Sequence, residues 1–230
     1  MTIDHSWDVS PQEAFELQNQ LAGRVERQPR LGPVNHVAGI DVSIQGDVAR
    51  AAVVVLDYRT LNPVDYAIAT RPVTFPYVPG LLAFREGPVV LEALERIQTR
   101  PDLLIFDGQG LAHPRRLGIA SHIGVLVDMT SIGCAKSRLC GQHDDPGPEP
   151  GDYTDLVDAG EIIGAVLRTR RGVNPVFVSI GHRIDLATSI GYILACTRGY
   201  RLPETTRWAH RVAGGQVPSS EGKQPTLFDL

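Results

Sequence analysis

Hydrophobic residues recur in two different periods over the first hundred positions. Ser10-Pro11-Gln12-Glu13 is typical of a helix start, because Ser caps the first amides, Pro fits the first turn and Glu13 completes a capping box. Apolar residues follow at helical spacing, which predicts a helix over about residues 11–28. A second helical pattern opens at Gly80 and runs to about Thr99.

Between these helices, three runs rich in β-branched residues predict strands. They cover residues 37–44, 51–57 and 64–73 and are separated by short turns with Gly46 and Asn62-Pro63. Short connections favour antiparallel neighbours, so we expect a three-stranded meander.

The second half of the chain alternates between strand and helix patterns. The predicted strands are Leu103–Phe106, Ser131–Ala135, 162–168 and 175–180, and the predicted helices are 115–127, 185–197 and 207–212. Residues 144–151 form a loop rich in Pro, Gly and acids, and residues 214–230 lack apolar periodicity, which predicts a flexible tail. The whole pattern predicts an α/β domain with a mixed sheet, in which helices flank the antiparallel meander.

Composition narrows the class of protein. A chain of 230 residues with 43% hydrophobic and 21% charged residues is typical of a globular protein and excludes a disordered or collagen-like one. No apolar run reaches the roughly 18 residues of a membrane helix, and the first residues lack a secretory pattern. The three cysteines fit no metal or disulfide spacing. We therefore expect a cytoplasmic protein with reduced thiols and no membrane partner.

Charge is unevenly distributed along the chain. The net charge of −4 argues weakly against a nucleic-acid partner. Residues 144–161, however, hold seven acidic and no basic residues, whereas 162–213 hold eight Arg and two acids. The basic blocks could form a face for a polyanion, and scattered solvated arginines are the alternative. Of the 22 basic residues only Lys136 and Lys223 are lysines.

Three carboxylates stand at unusual positions. Asp41 lies within an apolar strand, Glu86 lies in the first turns of the second helix, and Asp107 follows Leu103–Phe106. Burying an ionised carboxylate costs several kcal/mol unless it is paired or binds a cation. A turn role for Asp107 and a surface role for Glu86 are open alternatives, but the three together favour a site for Mg²⁺, which prefers carboxylate oxygens.

At these residues the sequence resembles the endonuclease V family of deoxyinosine 3′ endonucleases, which has a ribonuclease-H-like fold. The resemblance spans about residues 10–213 and implies a single nuclease domain over residues 1–213. The matching segments, in chain order, are Ala38-Gly-Ile-Asp-Val42, Pro76-Tyr-Val-Pro-Gly-Leu-Leu-Ala-Phe-Arg-Glu86, Phe106-Asp-Gly-Gln-Gly110, His113-Pro-Arg-Arg-Leu-Gly118, Ala135-Lys-Ser-Arg-Leu139 and Gly181-His-Arg183.

The resemblance implies a catalytic centre with Mg²⁺, or Mn²⁺ as an alternative. Asp41, Glu86 and Asp107 become its metal ligands, Lys136 contacts a phosphate, and His182 completes the centre as an acid/base or ligand group. His182 stands in for the fourth carboxylate of other ribonuclease-H-like nucleases, which leaves the number of metals open. Cys134 replaces an expected Val, a departure that concerns packing.

The resemblance also implies a lesion-binding site. Tyr77, stiffened by Pro76 and Pro79, would be the wedge inserted at a flipped base, although a core aromatic is the alternative. In the expected pocket, main-chain groups at three glycines recognise the flipped base, and two apolar side chains form the walls. The alternative for the glycines is that they are plain turn residues. The expected DNA-binding residues are Tyr77, Gly80, Leu82, Gly108, Gly110 and Ile119, with His113, Arg115 and Arg116 at a helix start that holds a phosphate. His122 is expected to be structural, and no role is assigned to His5, His36, His143 or His210.

The family cuts the second phosphodiester bond on the 3′ side of a deaminated base in DNA. Three rival functions stay open: the same chemistry on inosine in RNA, a junction resolvase, and a non-catalytic lesion-binding module. The wedge argues against the resolvase and the carboxylates against the non-catalytic module. In the tail, Gln224-Pro225-Thr226-Leu227-Phe228 is similar to peptides that dock on the bacterial sliding clamp, with a plain tail as the alternative.

Overall fold

A computed structural model of the protein describes residues 5–217. The helices are α1 (Pro11–Ala22), α2 (Leu82–Arg96), α3 (Ile119–Val127), α4 (Leu186–Ala195) and α5 (Glu204–Ala213). The strands are β1 (His36–Gln45), β2 (Val48–Asp57), β3 (Pro63–Pro72), β4 (Leu103–Phe106), β5 (Ser131–Ala135), β6 (Tyr153–Asp158), β7 (Glu161–Leu167) and β8 (Val176–His182).

All eight strands join one mixed sheet in the order β3-β2-β1-β4-β5-β8-β7-β6. The first three strands pair antiparallel, as the sequence predicts for a meander. Strands β1, β4 and β5 are parallel, and β8 returns antiparallel to β5. The carboxyl ends of β1, β4 and β5 therefore meet at one edge of the sheet, where ligand sites of such folds form.

Helices cover both faces of the sheet, because alternate strand residues point to opposite sides. Ala38 and Phe106 belong to a buried cluster with α2 and α3, whereas their neighbours Val37 and Ile105 belong to a cluster with α4 and α5. The two short parallel strands are buried on both faces and read as continuous apolar runs. The prediction of a mixed sheet flanked by helices is confirmed.

The structure corrects several predicted boundaries. Helix α1 ends at Ala22, and α3 begins at Ile119 because residues 114–118 form a non-helical loop in which Arg116 has a φ of 58°. Strand β6 was not predicted, since its acidic, half-exposed residues at the sheet edge lack an apolar run. Helix α5 already begins at Glu204. Residues 144–151 form no helix or strand, as expected.

Close packing fixes the position of α5 on β1. A Cβ on Gly39 would lie 2.0 Å from the carbonyl oxygen of Thr205, so only glycine permits this approach. Helix α5 thereby lies across the strand that carries Asp41.

The proposed clamp peptide, residues 224–228, lies outside the described residues. Helix α5 ends at Ala213. No helix within residues 5–217 is both long and apolar enough to cross a membrane.

Candidate active site

Asp41 and Asp107 lie side by side at the carboxyl edge of the parallel strands. Ile40 pairs with Phe106 in the sheet, and the amide of Asp107 donates to the Ile40 carbonyl at 3.0 Å. This register brings together two carboxylates that are 66 positions apart in the sequence. The sequence predicted both residues but not how closely they meet.

Helix α5 adds a histidine that the sequence analysis left without a role. His210 Nδ1 lies 2.8 Å from Asp41 Oδ2, and ligand atoms of Asp41, Asp107 and His210 all lie within 4.8 Å of one another. The His210 side chain is 66% exposed. The Gly39–Thr205 contact explains the placement, because it seats α5 directly over β1.

Glu86 reaches the same region from α2, on the other face of the sheet. Burial, followed by the nearby charges of Asp41 and Asp107, raises the pKa of Glu86 to about 8. Burial and the charge of Asp107 also raise the pKa of Asp41, against the opposing effects of His210 and Lys136. The three carboxylates therefore repel one another in a partly buried setting, which a bound cation would relieve.

Lys136 supplies the positive charge next to these carboxylates. It follows β5 directly, and its ammonium forms an ion pair with Asp107. Arg201 donates to the Lys136 carbonyl at 2.5 Å and to the Pro175 carbonyl at 2.9 Å, which ties the end of β5 to the start of β8. A compact ammonium at this place suits contact with a single phosphate.

The donor set fits a divalent cation. Asp41, Asp107 and His210 could hold it, and Glu86 lies close enough to interact with both aspartates. Carboxylate oxygens are the usual ligands of Mg²⁺, and a nitrogen ligand beside them is also compatible with Mn²⁺.

His182 does not join this cluster, contrary to the prediction. It is the last residue of β8, and because β8 runs antiparallel to β5 it pairs with Ser131, at the opposite end of β5 from Lys136. Its ring is 3% exposed, its Nδ1 accepts from the Glu26 amide at 3.2 Å, and its Nε2 lies 3.9 Å from Asp128. The histidine next to the carboxylates is His210.

A cavity of about 380 Å³ opens beside Asp107. It brings together most of the predicted lesion-binding residues and Lys136. Those in its wall are Tyr77, Gly80, Leu82, Gly108, His113 and Ile119. Tyr77 is 73% exposed, which excludes the alternative that it is a core aromatic.

A hydrogen-bonded clamp fixes the segment that carries Tyr77. The carbonyl of Gly80, whose φ is 81°, accepts from Gln18 at 3.0 Å, from His113 at 2.8 Å and from Arg115 at 3.0 Å. Arg115 also donates to Gln18 Oε1 at 2.6 Å, which closes the network. Arg115 was expected to hold a phosphate, but in this structure its guanidinium holds protein groups.

His113 is a neutral member of this clamp. Its Nδ1 accepts from the Arg115 amide at 3.1 Å, so its Nε2 carries the proton donated to Gly80. Burial lowers the pKa of His113 to about 4. The side chain is 2% exposed and bonded on both sides to protein, which makes it a structural support.

Arg116 and Gly110 also differ from expectation. Arg116 pairs with Asp158 at 2.9 Å and with Glu161 at 2.6 Å, so it joins the β6–β7 hairpin to the loop before α3 instead of holding a phosphate. The Gly110 amide donates to Ser179, and a Cβ on Gly110 would lie 2.1 Å from the Ile180 carbonyl oxygen. Its lack of a side chain thus serves strand packing.

His122 is fully buried, and its Nε2 lies 2.8 Å from His5 Nε2, as expected for a structural histidine.

The sequence did not indicate the roles of His210, Gln18 and Gln109. An exposed histidine in the last helix gave no local signal for His210. The two glutamines stand near segments already singled out, but their burial became visible only in the structure.

Comparison with known proteins gives one consistent result. Residues 19–211 match the protein family described as Endonuclease V. The Endonuclease V of Roseiflexus sp. (strain RS-1) is 53% identical over 218 residues, covering 94% of this chain and 98% of that protein. The solved Endonuclease V of Streptomyces avermitilis has a TM-score of 0.87 at 46% identity and covers 91% of this chain and 93% of its own. Another solved structure, Endonuclease V of Ciona intestinalis in complex with a 23mer DNA containing an inosine followed by a ribo-adenosine, has a TM-score of 0.78 at 26% identity, covering 90% of this chain and 97% of its own.

This fold, with an acidic cluster at the ends of its parallel strands, defines an enzyme of the nuclease class. The chain belongs to the endonuclease V family. The family and the ribonuclease-H-like fold class predicted from the sequence are thereby confirmed.

Proposed function

We propose that this enzyme is a Mg²⁺-dependent endonuclease that recognises deaminated bases, above all deoxyinosine, in DNA. The observation that carries the proposal is the cavity beside Asp107, which adjoins both the carboxylates and the exposed Tyr77. A base-sized cavity and a cation site in contact with each other suit an enzyme that reads one nucleotide and cuts next to it. The Ciona relative, bound to inosine-containing DNA, supports the same substrate.

In this proposal the chain's residues divide the work. Asp41, Asp107 and His210 hold the cation with the help of Glu86, and Lys136 contacts a phosphate oxygen. A bound divalent cation supplies charge for activating water and for stabilising the leaving oxygen.

Tyr77 fills the space left in the duplex when the base turns out, and the loop that carries it is already ordered by the Gly80 clamp. Gly80, Leu82, Gly108 and Ile119 enclose the base.

We further propose that the cut falls at the second phosphodiester bond on the 3′ side of the lesion and leaves 3′-OH and 5′-phosphate ends. The base cavity and the carboxylate cluster are separate places that share Asp107 in one wall. A strand whose lesion occupies the cavity therefore presents a neighbouring phosphate, and not the lesion's own glycosidic bond, to the carboxylates.

The test uses end-labelled duplexes that carry either inosine or adenosine at one position. We expect cleavage of the inosine duplex with Mg²⁺, slower or equal cleavage with Mn²⁺, and none with EDTA. Cleavage in EDTA would contradict the metal-dependent chemistry, and equal cleavage of the adenosine duplex would contradict the lesion specificity.

Inosine in RNA is the second candidate substrate, because the nucleotide after the inosine in the Ciona complex is a ribonucleotide. An enzyme that acts on RNA can contact the 2′-OH next to the cut, so one ribonucleotide placed there in a DNA strand tests for such a contact. We would compare the cleavage rates of an inosine-containing DNA, of the corresponding RNA, and of the DNA with one ribonucleotide 3′ of the inosine. Faster cleavage of the RNA or of the DNA with the ribonucleotide than of the all-DNA strand would favour RNA as the substrate.

We also propose that residues 224–228 dock the enzyme on a sliding clamp. The Gln and the terminal Leu-Phe pair are the chemistry that an apolar clamp groove takes up. Deletion of residues 218–230 should abolish clamp pull-down and leave oligonucleotide cleavage unchanged, because α5 and His210 stay intact. Unchanged pull-down by the shortened protein would refute this docking.

A further inference from the structure

The base cavity is lined by three buried polar side chains within residues 5–217: Gln18, Gln109 and His113. Two of them are fully engaged by protein. The Gln18 amide donates to the Gly80 and Leu117 carbonyls and accepts from Arg115, and both ring nitrogens of His113 are bonded. The Gly80 carbonyl already accepts three hydrogen bonds.

Gln109 is different. Its side-chain nitrogen donates to the Ser137 carbonyl at 2.8 Å, and since a carbonyl can only accept, this contact fixes which end of the amide is the nitrogen. Its Oε1 is buried and has no hydrogen-bond partner among the described residues. The residue as a whole is 9% exposed. An unpaired buried acceptor costs about 1–3 kcal/mol, so its presence in a cavity wall calls for a partner.

Deamination creates the group that such an acceptor takes. Adenine has a bare N1 on its Watson–Crick edge, whereas hypoxanthine has N1–H next to a carbonyl. Cytosine and uracil differ in the same way at N3. A lone acceptor therefore pairs with the deaminated base and faces a lone pair of the undamaged one.

We infer that Gln109 is a specificity-determining residue whose Oε1 accepts the ring N–H that deamination places on a flipped base. The inference rests on the proposed function and assigns the base-reading contact within it. The Oε1 is closed to the cavity in this structure, so the contact requires the Gln109 amide to shift. Its partner Ser137 lies in the exposed and irregular segment 136–139, which also lines the cavity and can move with it. Guanine also carries N1–H. Gln109 therefore distinguishes hypoxanthine from adenine but not from guanine, which other residues of the cavity wall must exclude.

The test is competition for cleavage of a labelled inosine duplex. Unlabelled competitors carry hypoxanthine, purine or adenine at the same position, where purine lacks both N1–H and the carbonyl. Gln109→Met keeps the length of the side chain and removes the acceptor, together with the donor to Ser137. We expect the inhibition constant of the hypoxanthine competitor to rise about tenfold in this variant and those of the purine and adenine competitors to stay unchanged.

Two further measurements distinguish an effect on base recognition from an effect on protein stability. Gln109→Met should unfold at a temperature close to that of wild type, because removal of an unpaired buried acceptor offsets the loss of the hydrogen bond to the carbonyl of the exposed Ser137. Gln109→Asn keeps an amide on a side chain that is one methylene shorter. It should raise the inhibition constant of the hypoxanthine competitor only, and it provides an independent test if the Met variant does not fold.

Two results would overturn the assignment: an equal change for all three competitors, which indicates a structural role, or no change for any. If wild type fails to cleave the labelled inosine duplex, the proposed function itself is wrong, and this outcome is distinct from the other two.

Discussion

At the scale of single residues, the acidic cluster depends on where two aspartates leave the sheet. Asp41 and Asp107 come from neighbouring parallel strands. Their carboxylates are partly buried and close to each other, Lys136 forms an ion pair with Asp107, and His210 forms a hydrogen bond with Asp41. Burial and the charge of Asp107 hold the pKa of Asp41 above its usual value. The pair is therefore costly without a cation, which is the physical reason to regard it as a metal site.

Replacing one of these carboxylates tests that conclusion. Asp41→Asn should reduce cleavage of an inosine duplex by at least about a hundredfold, because the cation loses a ligand, while binding of the duplex in a gel-shift assay persists. Asp47→Asn, in the exposed β1–β2 turn, is the matched control and should behave as wild type. Turnover by Asp41→Asn at more than a few per cent of the wild-type rate would exclude Asp41 as a ligand.

The two histidines give a direct contrast. His210→Ala should raise the Mg²⁺ concentration needed for half-maximal cleavage, because His210 lies among the ligand atoms of the two aspartates. His182→Ala should leave that concentration unchanged and lower the free energy of unfolding by about 1–3 kcal/mol, because it removes a buried ring and the acceptor of the half-buried Glu26 amide. The reverse pattern would restore the role that the sequence predicted for His182.

At the scale of elements, the segment that carries Tyr77 combines an exposed tip with a fixed base. Pro76 and Pro79 restrict the backbone around Tyr77, and the clamp on the Gly80 carbonyl joins it to α1 and to the loop before α3. Tyr77 itself is 73% exposed and contributes little to packing. An exposed aromatic on a rigid support is what a wedge between base pairs requires.

Tyr77→Ala should therefore affect recognition without affecting the fold. We expect cleavage of an inosine duplex to fall about tenfold or more, with an unchanged unfolding temperature and an unchanged Mg²⁺ requirement. Tyr66→Ala replaces another exposed tyrosine, on the edge strand β3, and should have no effect on cleavage. Equal cleavage by Tyr77→Ala and wild type would remove Tyr77 from the lesion site.

Sequence reasoning succeeded for elements with a strong local pattern. The meander, the apolar strands β4 and β5 and the capping box of α1 are present at or near their predicted positions. Strand β6 was missed because its acidic sequence at the sheet edge has no apolar run. Helix α3 starts later than predicted, since Gly118 caps it and Arg116 adopts a left-handed backbone.

In the site too, residues with a local sequence signal were predicted, and those that depend on tertiary contacts were not. The carboxylates and Tyr77 were found from their own segments and the resemblance. His210 and the Gly80 clamp depend on contacts between distant parts of the chain. His210 meets Asp41 across 169 positions, and Gln18 meets Gly80 across 62. Only the packing of α5 on β1 and of α1 beside the cavity reveals them.

At the scale of the whole molecule, two buried neutral histidines make part of the stability sensitive to acid. Burial lowers the pKa of His113 to about 4 and that of His122 to about 3, from an ordinary value of 6.5. Below pH 6.5 the unfolded chain binds protons at these residues and the native protein does not, so the stability that these two histidines contribute falls as the pH falls. Glu86, whose raised pKa of about 8 means that the native protein holds its proton, contributes in the opposite sense. Each pH unit costs about 1.4 kcal/mol for each histidine until its folded pKa is reached.

His122→Phe removes one of these groups from an aromatic cluster that includes Trp7 and Phe84. Between pH 6.5 and pH 5, urea titrations should show that this variant loses about 2 kcal/mol less stability than wild type. Identical losses in the two proteins would show that His122 does not stay neutral in the native state.

The net charge of −4 is an average over regions of opposite sign, and part of the negative charge belongs to the cation site itself. Bound divalent cations would offset that part. Lys136, one of only two lysines, lies at the carboxylates, where a compact ammonium is useful. The net charge is therefore compatible with a nucleic-acid substrate.

In the proposed function the base cavity and the adjoining carboxylates act together, so that the position of the lesion sets the position of the cut. The most direct measurement moves a single inosine through several positions of one labelled duplex and maps the products in Mg²⁺ at nucleotide resolution. We expect the cut to follow the inosine at a constant offset, at the second phosphodiester bond on its 3′ side, in every duplex. Cuts that stay in place as the inosine moves, or that fall at varying distances from it, would show that the cavity and the carboxylates do not act together.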